Sequence, residues 1–176
     1  MSGDARPIRL LLLDVDGVLT DGTIVLHPDG TESKSFHIRD GAAIVWAQRA
    51  GFRIGLLSAR TSEATEQRAA QLGIPLVVQG AADKLTAYEQ ILATNALTDT
   101  EVAYMGDDLQ DLPVLRRAGF SAAPNDAAAE VRGAVDWVSS RPGGHGAVRE
   151  LIEHVLRTQG TWEAVVAGYL PQRSSK

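Results

Sequence analysis

The stretch Leu11-Leu12-Leu13-Asp14-Val15-Asp16-Gly17-Val18-Leu19-Thr20-Asp21-Gly22 decides the fold. A short apolar run that ends in turn residues reads as a buried strand. Two carboxylates, Asp14 and Asp16, stand where it ends. Side chains at i and i+2 leave an extended chain on the same side, so both acids can face one site. In open α/β sheets that site lies beyond the carboxyl ends of the strands. Gly17 and Gly22 let the chain turn away sharply. One carboxylate can attack while its neighbour moves a proton, and a hard cation such as Mg²⁺ would hold both. Asp-x-Asp-Gly alone also occurs in plain turns and calcium loops, so the rest of the chain must decide.

Outward from this run, strand-like and helix-like segments alternate. Strands are expected at Arg9 to Val15, Arg53 to Ser58, Leu76 to Val78, Val102 to Met105 and Phe120 to Ala122, with a short one at Trp137 and Val138. Helices are expected at Gly41 to Ala50, Ser62 to Leu72, Lys84 to Ala93, Leu109 to Ala118, Ala127 to Gly133 and Ala147 to Arg157. Gly51, Gly73 and Gly119 follow helices, as helix-ending glycines do. The rhythm predicts an α/β fold with a mostly parallel, Rossmann-like sheet and helices on both faces. One stretch departs from it: Thr23 to Leu26 and Thr31 to Ile38 flank His27-Pro28-Asp29-Gly30, a hairpin signal. The expected organisation is one domain over residues 1–176, with a hairpin at about 23–38 and a tail from about 160. In that tail Trp162, Val165, Val166 and Tyr169 are apolar, and Pro171 to Lys176 are expected to fray.

Composition narrows the function classes. The 176 residues suffice for one substantial core. With no cysteine, disulfides, thiolate metal sites and cysteine nucleophiles are excluded. A net charge of −5, without a basic run or aromatic platform, argues against nucleic-acid binding. No apolar stretch is long enough to span a bilayer and the N-terminus has no signal core, so no membrane partner and a cytoplasmic setting are expected.

Three further strand ends carry polar groups. The second strand ends in Ser58-Ala59-Arg60, where a hydroxyl and the amides of a helix start form an anion site; Ser58 as a helix cap is the plainer reading. Lys84 begins a helix against the helix dipole, which a nearby phosphate and carboxylate cluster would explain; a solvated surface lysine is the equally plain alternative. Gly106-Asp107-Asp108-Leu109-Gln110-Asp111 again delivers acids at a strand end. Asp107 is the natural further oxygen ligand for Mg²⁺, and Asp108 and Asp111 can orient water or cap the helix. Three acids in five residues would repel one another without a cation or a basic neighbour.

This ordered set resembles the haloacid dehalogenase superfamily of phosphotransferases. The resemblance implies Asp14 as nucleophile through an aspartyl-phosphate and Asp16 as general acid, then general base. It implies Mg²⁺ held by the Asp14 carboxylate, the Asp16 main-chain carbonyl and Asp107, with Ser58 and Lys84 on the phosphoryl oxygens. Only the short hairpin is inserted, with no cap domain, so the site is expected to be open unless another subunit covers it. Lys34-x-Phe36-x-x-Arg39-Asp40-Gly41 and Gly143-Gly144-His145-Gly146-Ala147-Val148-Arg149-Glu150 narrow the resemblance to the capless tetrameric branch of 3-deoxy-D-manno-octulosonate 8-phosphate phosphatases. That implies a phosphoric monoester hydrolase acting on a sugar-acid phosphate, with self-association into a homotetramer through the hairpin. Arg39, Asp40, Gly41, Arg60, Arg68, Asp16 and Lys84 are the expected substrate-binding residues, and arginine forks suit a sugar carboxylate. Ser58-Ala59, Val45 and His145 depart from the family pattern. The alternatives are a phosphatase for a nine-carbon sialate-type 9-phosphate, a non-catalytic tetramerisation domain and a phospho-acceptor domain.

Overall fold

The computed structural model describes residues 3–170. In chain order the elements are β1 (Leu10–Leu13), β2 (Val25–Leu26), β3 (Glu32–Ser33), α1 (Ile38–Arg49), β4 (Arg53–Leu57), α2 (Glu63–Leu72), β5 (Leu76–Val78) and α3 (Lys84–Asn95). Then follow β6 (Val102–Met105), α4 (Leu112–Leu115), β7 (Phe120–Ala123), α5 (Ala129–Arg132), β8 (Trp137–Val138), α6 (Ala147–Thr158) and α7 (Trp162–Ala167). Six strands form one sheet in the order β5-β4-β1-β6-β7-β8, every pairing parallel. The α/β architecture is the one the sequence rhythm predicts.

The leucine run shows why β1 is apolar without alternation. Leu11 and Leu13 pack with Ala43, Ile44 and Ala47 of α1 and with Leu151, Ile152 and Val155 of α6. Leu10 and Leu12 pack on the other face with Tyr88 and Ile91 of α3 and Val114 of α4. A strand covered on both faces needs apolar side chains at every position, and each buried leucine contributes about 1.5–3 kcal/mol. The chain steps from β1 to β4 to β5, then crosses back to β6 on the other side of β1. This reversal sets the carboxyl ends of β4, β1 and β6 side by side, where such sheets bind ligands.

Several expected boundaries are corrected. The hairpin strands are only two residues each, Val25 pairing with Ser33 and Leu26 with Glu32. Ile38 opens α1 instead of closing a strand, and Asp40 in the first turn favours a helix start there. The single helix expected from Leu109 to Ala118 is a 3₁₀ turn, Leu109–Asp111, followed by the short α4. Asp111 turns its carboxylate back to the Asp107 and Asp108 amides, and Pro113 has no N–H to give. The segment from residue 160 is no loose tail: α7 docks on α1, with Trp162 edge-on to Trp46 at 5.9 Å between ring centres. Residues 171–176, expected to fray, lie outside the described residues. No described helix is long and apolar enough to cross a membrane.

Candidate active site

Asp14 continues β1, its amide donating to the Met105 carbonyl of β6 at 3.0 Å. Its carboxylate is 2% exposed and lies 2.9 Å from Lys84 Nζ. Carboxylate oxygens of Asp14, Asp107 and Asp111 all lie within 4.8 Å of one another. Gly17, with φ +86°, makes the approach possible: any side chain there would run into the Asp107 carboxylate. Three carboxyls thus face a single ammonium in a dry place. Burial, then the charge of Asp111, pushes the Asp14 carboxyl up to about 6, with Lys84 pulling the other way. Burial, then Asp14 and Asp111, pushes Asp107 up to about 8.

Asp111 anchors the group. It accepts from Lys84 Nζ at 2.7 Å and Tyr104 Oη at 2.5 Å on one oxygen, and from the amides of Asp107 and Asp108 on the other. With its own oxygens so engaged, it leaves Asp14 and Asp107 to meet a cation. Asp107 Oδ1 is buried and accepts no hydrogen bond from the described residues. An all-oxygen pair with an orphaned lone pair suits a hard divalent ion such as Mg²⁺.

Lys84 has the local reason its position called for. The Asp83 side chain caps α3 by accepting from the Leu85 and Thr86 amides at 3.1 Å, while Lys84 turns inward. Burial opposes its charge, but Asp14 and Asp111 outweigh burial and hold its pKa above the ordinary value.

Asp16 sits apart from this cluster. Its carboxylate pairs with Lys34 Nζ at 2.7 Å, and Arg60 Nε stands 3.7 Å away. Lys34 comes from the hairpin, fully buried, and also approaches Glu32 at 3.7 Å. Glu32 in turn pairs with Arg60 at 3.0 Å. The Ser62 hydroxyl beside it, and then Arg60 and Lys34, hold the Glu32 carboxyl below its usual range against the effect of burial. The hairpin therefore closes over the first loop of its own chain.

Ser58 follows directly on β4 with its side chain buried; its Oγ accepts from the Arg60 amide at 3.2 Å and keeps a proton to donate. The other expected substrate residues are placed differently. The Asp40 carboxylate is buried and accepts from the Gly146 and Arg149 amides, capping the first turn of α6. Gly41 makes room for the Arg68 guanidinium, which lies over the Phe36 ring and donates to Gln71. Arg39 is exposed on α1 and lines a polar cleft with His37, Arg141 and His145. None of these four hydrogen-bonds or ion-pairs with the acid cluster among the described residues. The glycine segment packs tightly: the Gly144 amide donates to the Val18 carbonyl at 2.9 Å, and a side chain at Gly143 would meet the Gly17 carbonyl.

Sequence reasoning missed the parts played by Tyr104, Glu32 and Lys34. Tyr104 was legible as a polar tip on a buried strand two residues before the Gly106 turn. Glu32 and Lys34, spaced i and i+2, share a face of the hairpin strand and its continuation.

Comparison with known proteins agrees with this fold. The family of haloacid dehalogenase-like hydrolases matches residues 76–151. The chain is 42% identical over 156 residues to the 3-deoxy-D-manno-octulosonate 8-phosphate phosphatase of Escherichia coli K12, covering 89% of this chain and 83% of that one. The Moraxella catarrhalis phosphatase of the same name, in complex with a magnesium ion, a phosphate ion and a KDO molecule, superposes with a TM-score of 0.92. It is 36% identical, with 94% of this chain and 95% of that chain covered. The cobalt-bound Haemophilus influenzae enzyme superposes with a TM-score of 0.88 at 39% identity, covering 91% and 94%. With relatives this similar over most of both chains, the chain belongs to the 3-deoxy-D-manno-octulosonate 8-phosphate phosphatase family of haloacid dehalogenase-like hydrolases.

Proposed function

We propose that this chain is a cytoplasmic, Mg²⁺-dependent phosphatase that hydrolyses 3-deoxy-D-manno-octulosonate 8-phosphate to the free sugar acid and phosphate. The observation that carries the reading is the buried Asp14–Lys84 pair facing the orphaned oxygen of Asp107, in a chain 42% identical to an enzyme of that name. An Asp14 oxygen attacks phosphorus and the bond to the sugar's O8 breaks. Asp16 gives its proton to the departing oxygen. Water then attacks the aspartyl-phosphate, Asp16 takes the water proton, and phosphate leaves with Asp14 regenerated. Lys84 and the Ser58 hydroxyl bind the phosphoryl oxygens. The Asp14 carboxylate, the Asp16 main-chain carbonyl and Asp107 would hold Mg²⁺. When bound, the ion offsets the repulsion between the attacking carboxylate and a phosphate dianion. Arg60, at the rim and half-exposed, takes the sugar carboxylate.

The same reading makes the hairpin an assembly element. Val25 and Leu26 are 53% and 75% exposed on a ribbon too short to stand alone in water. A closed homotetramer would bury them.

The test is phosphate release by the purified protein with Mg²⁺ and with EDTA, across sugar-acid phosphates. Activity confined to Mg²⁺, with the highest kcat/KM on the eight-carbon 8-phosphate, is the expected result. Turnover in EDTA would refute the metal-dependent reading. A higher kcat/KM on a nine-carbon sialate-type 9-phosphate would refute the substrate.

A further inference from the structure

The contact between Glu32 and Arg60 is at odds with a site built for a polyanion. The substrate class brings a phosphate and a carboxylate into a pocket already holding Asp14, Asp16 and Asp107. A further acid at its rim repels that substrate unless it has a use in the substrate's absence. Glu32 Oε2 lies 3.0 Å from Arg60 Nη2, the geometry of a carboxylate taken by a guanidinium. Glu32 is 16% exposed on its side chain and Arg60 50%, so the arginine head is open to solvent on its other side.

The geometry points to Glu32 as a specificity-determining residue: a hairpin carboxylate that occupies Arg60 in the free enzyme and is displaced from it by the carboxylate of the sugar acid. This rests on the reading of Arg60 as the sugar-carboxylate ligand. The exchange is one carboxylate for another, so the arginine keeps a charged partner throughout. A half-exposed ion pair is weak enough to be exchanged. Lys34 Nζ, 3.7 Å from Glu32 Oε1, stands ready to take the released charge. A sugar phosphate without a carboxylate has nothing to offer Arg60 and leaves the latch shut. The latch therefore lowers the affinity for the carboxylated sugar alone, by the fraction of enzyme in which Arg60 is occupied. The hairpin, which reaches the site through Lys34 and Glu32, would thus set sugar-acid affinity in addition to assembly.

The test compares wild type with Glu32→Gln, Arg60→Ala and the double variant, using the octulosonate 8-phosphate and 4-nitrophenyl phosphate. Glu32→Gln keeps the shape and removes the charge. It is expected to lower KM for the sugar-acid phosphate by about threefold or more, and to raise the kcat/KM ratio of sugar-acid phosphate to aryl phosphate by a similar factor. The gain should vanish in the Arg60→Ala background. The Ki of the unphosphorylated sugar acid should fall in parallel, an independent reading of the carboxylate subsite. If Glu32→Gln fails to fold, Glu32→Ala, which also removes the charge, makes the same comparison. Selective loss on the sugar acid in Arg60→Ala, with KM unchanged or raised in Glu32→Gln, would overturn the latch and leave the Arg60 reading standing. Equal losses on both substrates in Arg60→Ala would overturn the Arg60 reading and the latch with it.

Discussion

Lys84 Nζ stands 2.9 Å from Asp14 Oδ1, and both side chains are sealed from solvent. A buried ion pair is a weak source of stability, because taking two charges out of water costs about as much as their attraction returns. Its presence at a strand end therefore points to chemistry. Asp14→Asn is expected to drop kcat to below about one thousandth of wild type, since an amide neither attacks phosphorus nor binds a hard cation well. The fold should survive. The ionised Asp14 is disfavoured where it lies, so removing its charge relieves the site: in EDTA at pH 8 the variant should melt no lower than wild type. Thermal melts with a phosphate-release assay check both halves, and retained turnover would remove Asp14 as the nucleophile.

Asp111 should matter for both fold and rate. Its carboxylate receives Lys84, Tyr104 and two main-chain amides, so no orientation of an amide serves all four. Asp111→Asn is expected to cost about 3 kcal/mol, with Lys84 left with Asp14 as its only charged partner among the described residues. Tyr104→Phe removes one hydrogen bond and should cost about 1 kcal/mol. Urea unfolding measures both. A loss below that of Tyr104→Phe would show that Asp111 does not anchor the cluster.

How far the sequence speaks is plain from these residues. Asp14 and Asp107 were legible because a strand followed by a turn puts the next side chains at the sheet's carboxyl end whatever lies beyond, and Lys84 because it opens a helix against the helix dipole. The parallel sheet was legible for the same local reason, a period of strand and helix. Asp111 reads from sequence as a helix cap, but its carboxylate turns back to the Asp107 and Asp108 amides and closes the 3₁₀ turn; that it also takes Lys84 depends on α3 packing beside α4, which no local pattern encodes. Asp40 sits beside Arg39 and Gly41 in a motif that suggests substrate contact. Yet its side chain points to α6, more than a hundred residues away. The placement of Lys34 on Asp16 depends likewise on how a two-residue ribbon folds back.

Asp40 offers a way to separate fold from site. Two amides of α6 depend on a carboxylate that burial has pushed above its ordinary pKa. Asp40→Ala is expected to cost about 1–2 kcal/mol of stability through the lost cap. Measured well below its melting temperature, the variant should keep KM within about twofold of wild type, a factor worth only a few tenths of a kcal/mol. A tenfold rise in KM without a drop in melting temperature would place Asp40 at the substrate instead.

The hairpin prediction is an oligomeric state. Sedimentation at micromolar concentration should show a tetramer. Val25→Asp with Leu26→Asp should give smaller species with unchanged far-ultraviolet circular dichroism, since both side chains are exposed in the single chain. A monomeric wild type would refute the assembly role.

The acid cluster predicts an unusual pH dependence for the metal-free protein. Asp14 and Asp107 hold their protons up to about pH 6 and about pH 8, above their ordinary value of 3.8. Between pH 4 and pH 8 the folded state therefore binds more protons than the unfolded chain, and stability falls as pH rises through that window. Groups shifted the other way, such as Glu101 at about 2, oppose this slope only at its low end, where the unfolded chain's carboxyls still bind protons, and add none above about pH 6. In EDTA the melting temperature should decline from pH 5 to pH 8.5, and Asp107→Asn should flatten the decline. Mg²⁺ needs the carboxylates bare, so its binding at pH 7 should release close to one proton, and its affinity should climb with pH until about pH 8. Calorimetric titration of Mg²⁺ in two buffers of different ionisation enthalpy counts that proton. No proton release at pH 7, together with a melting temperature that rises with pH in EDTA, would mean that the cluster is already balanced by Lys84 alone.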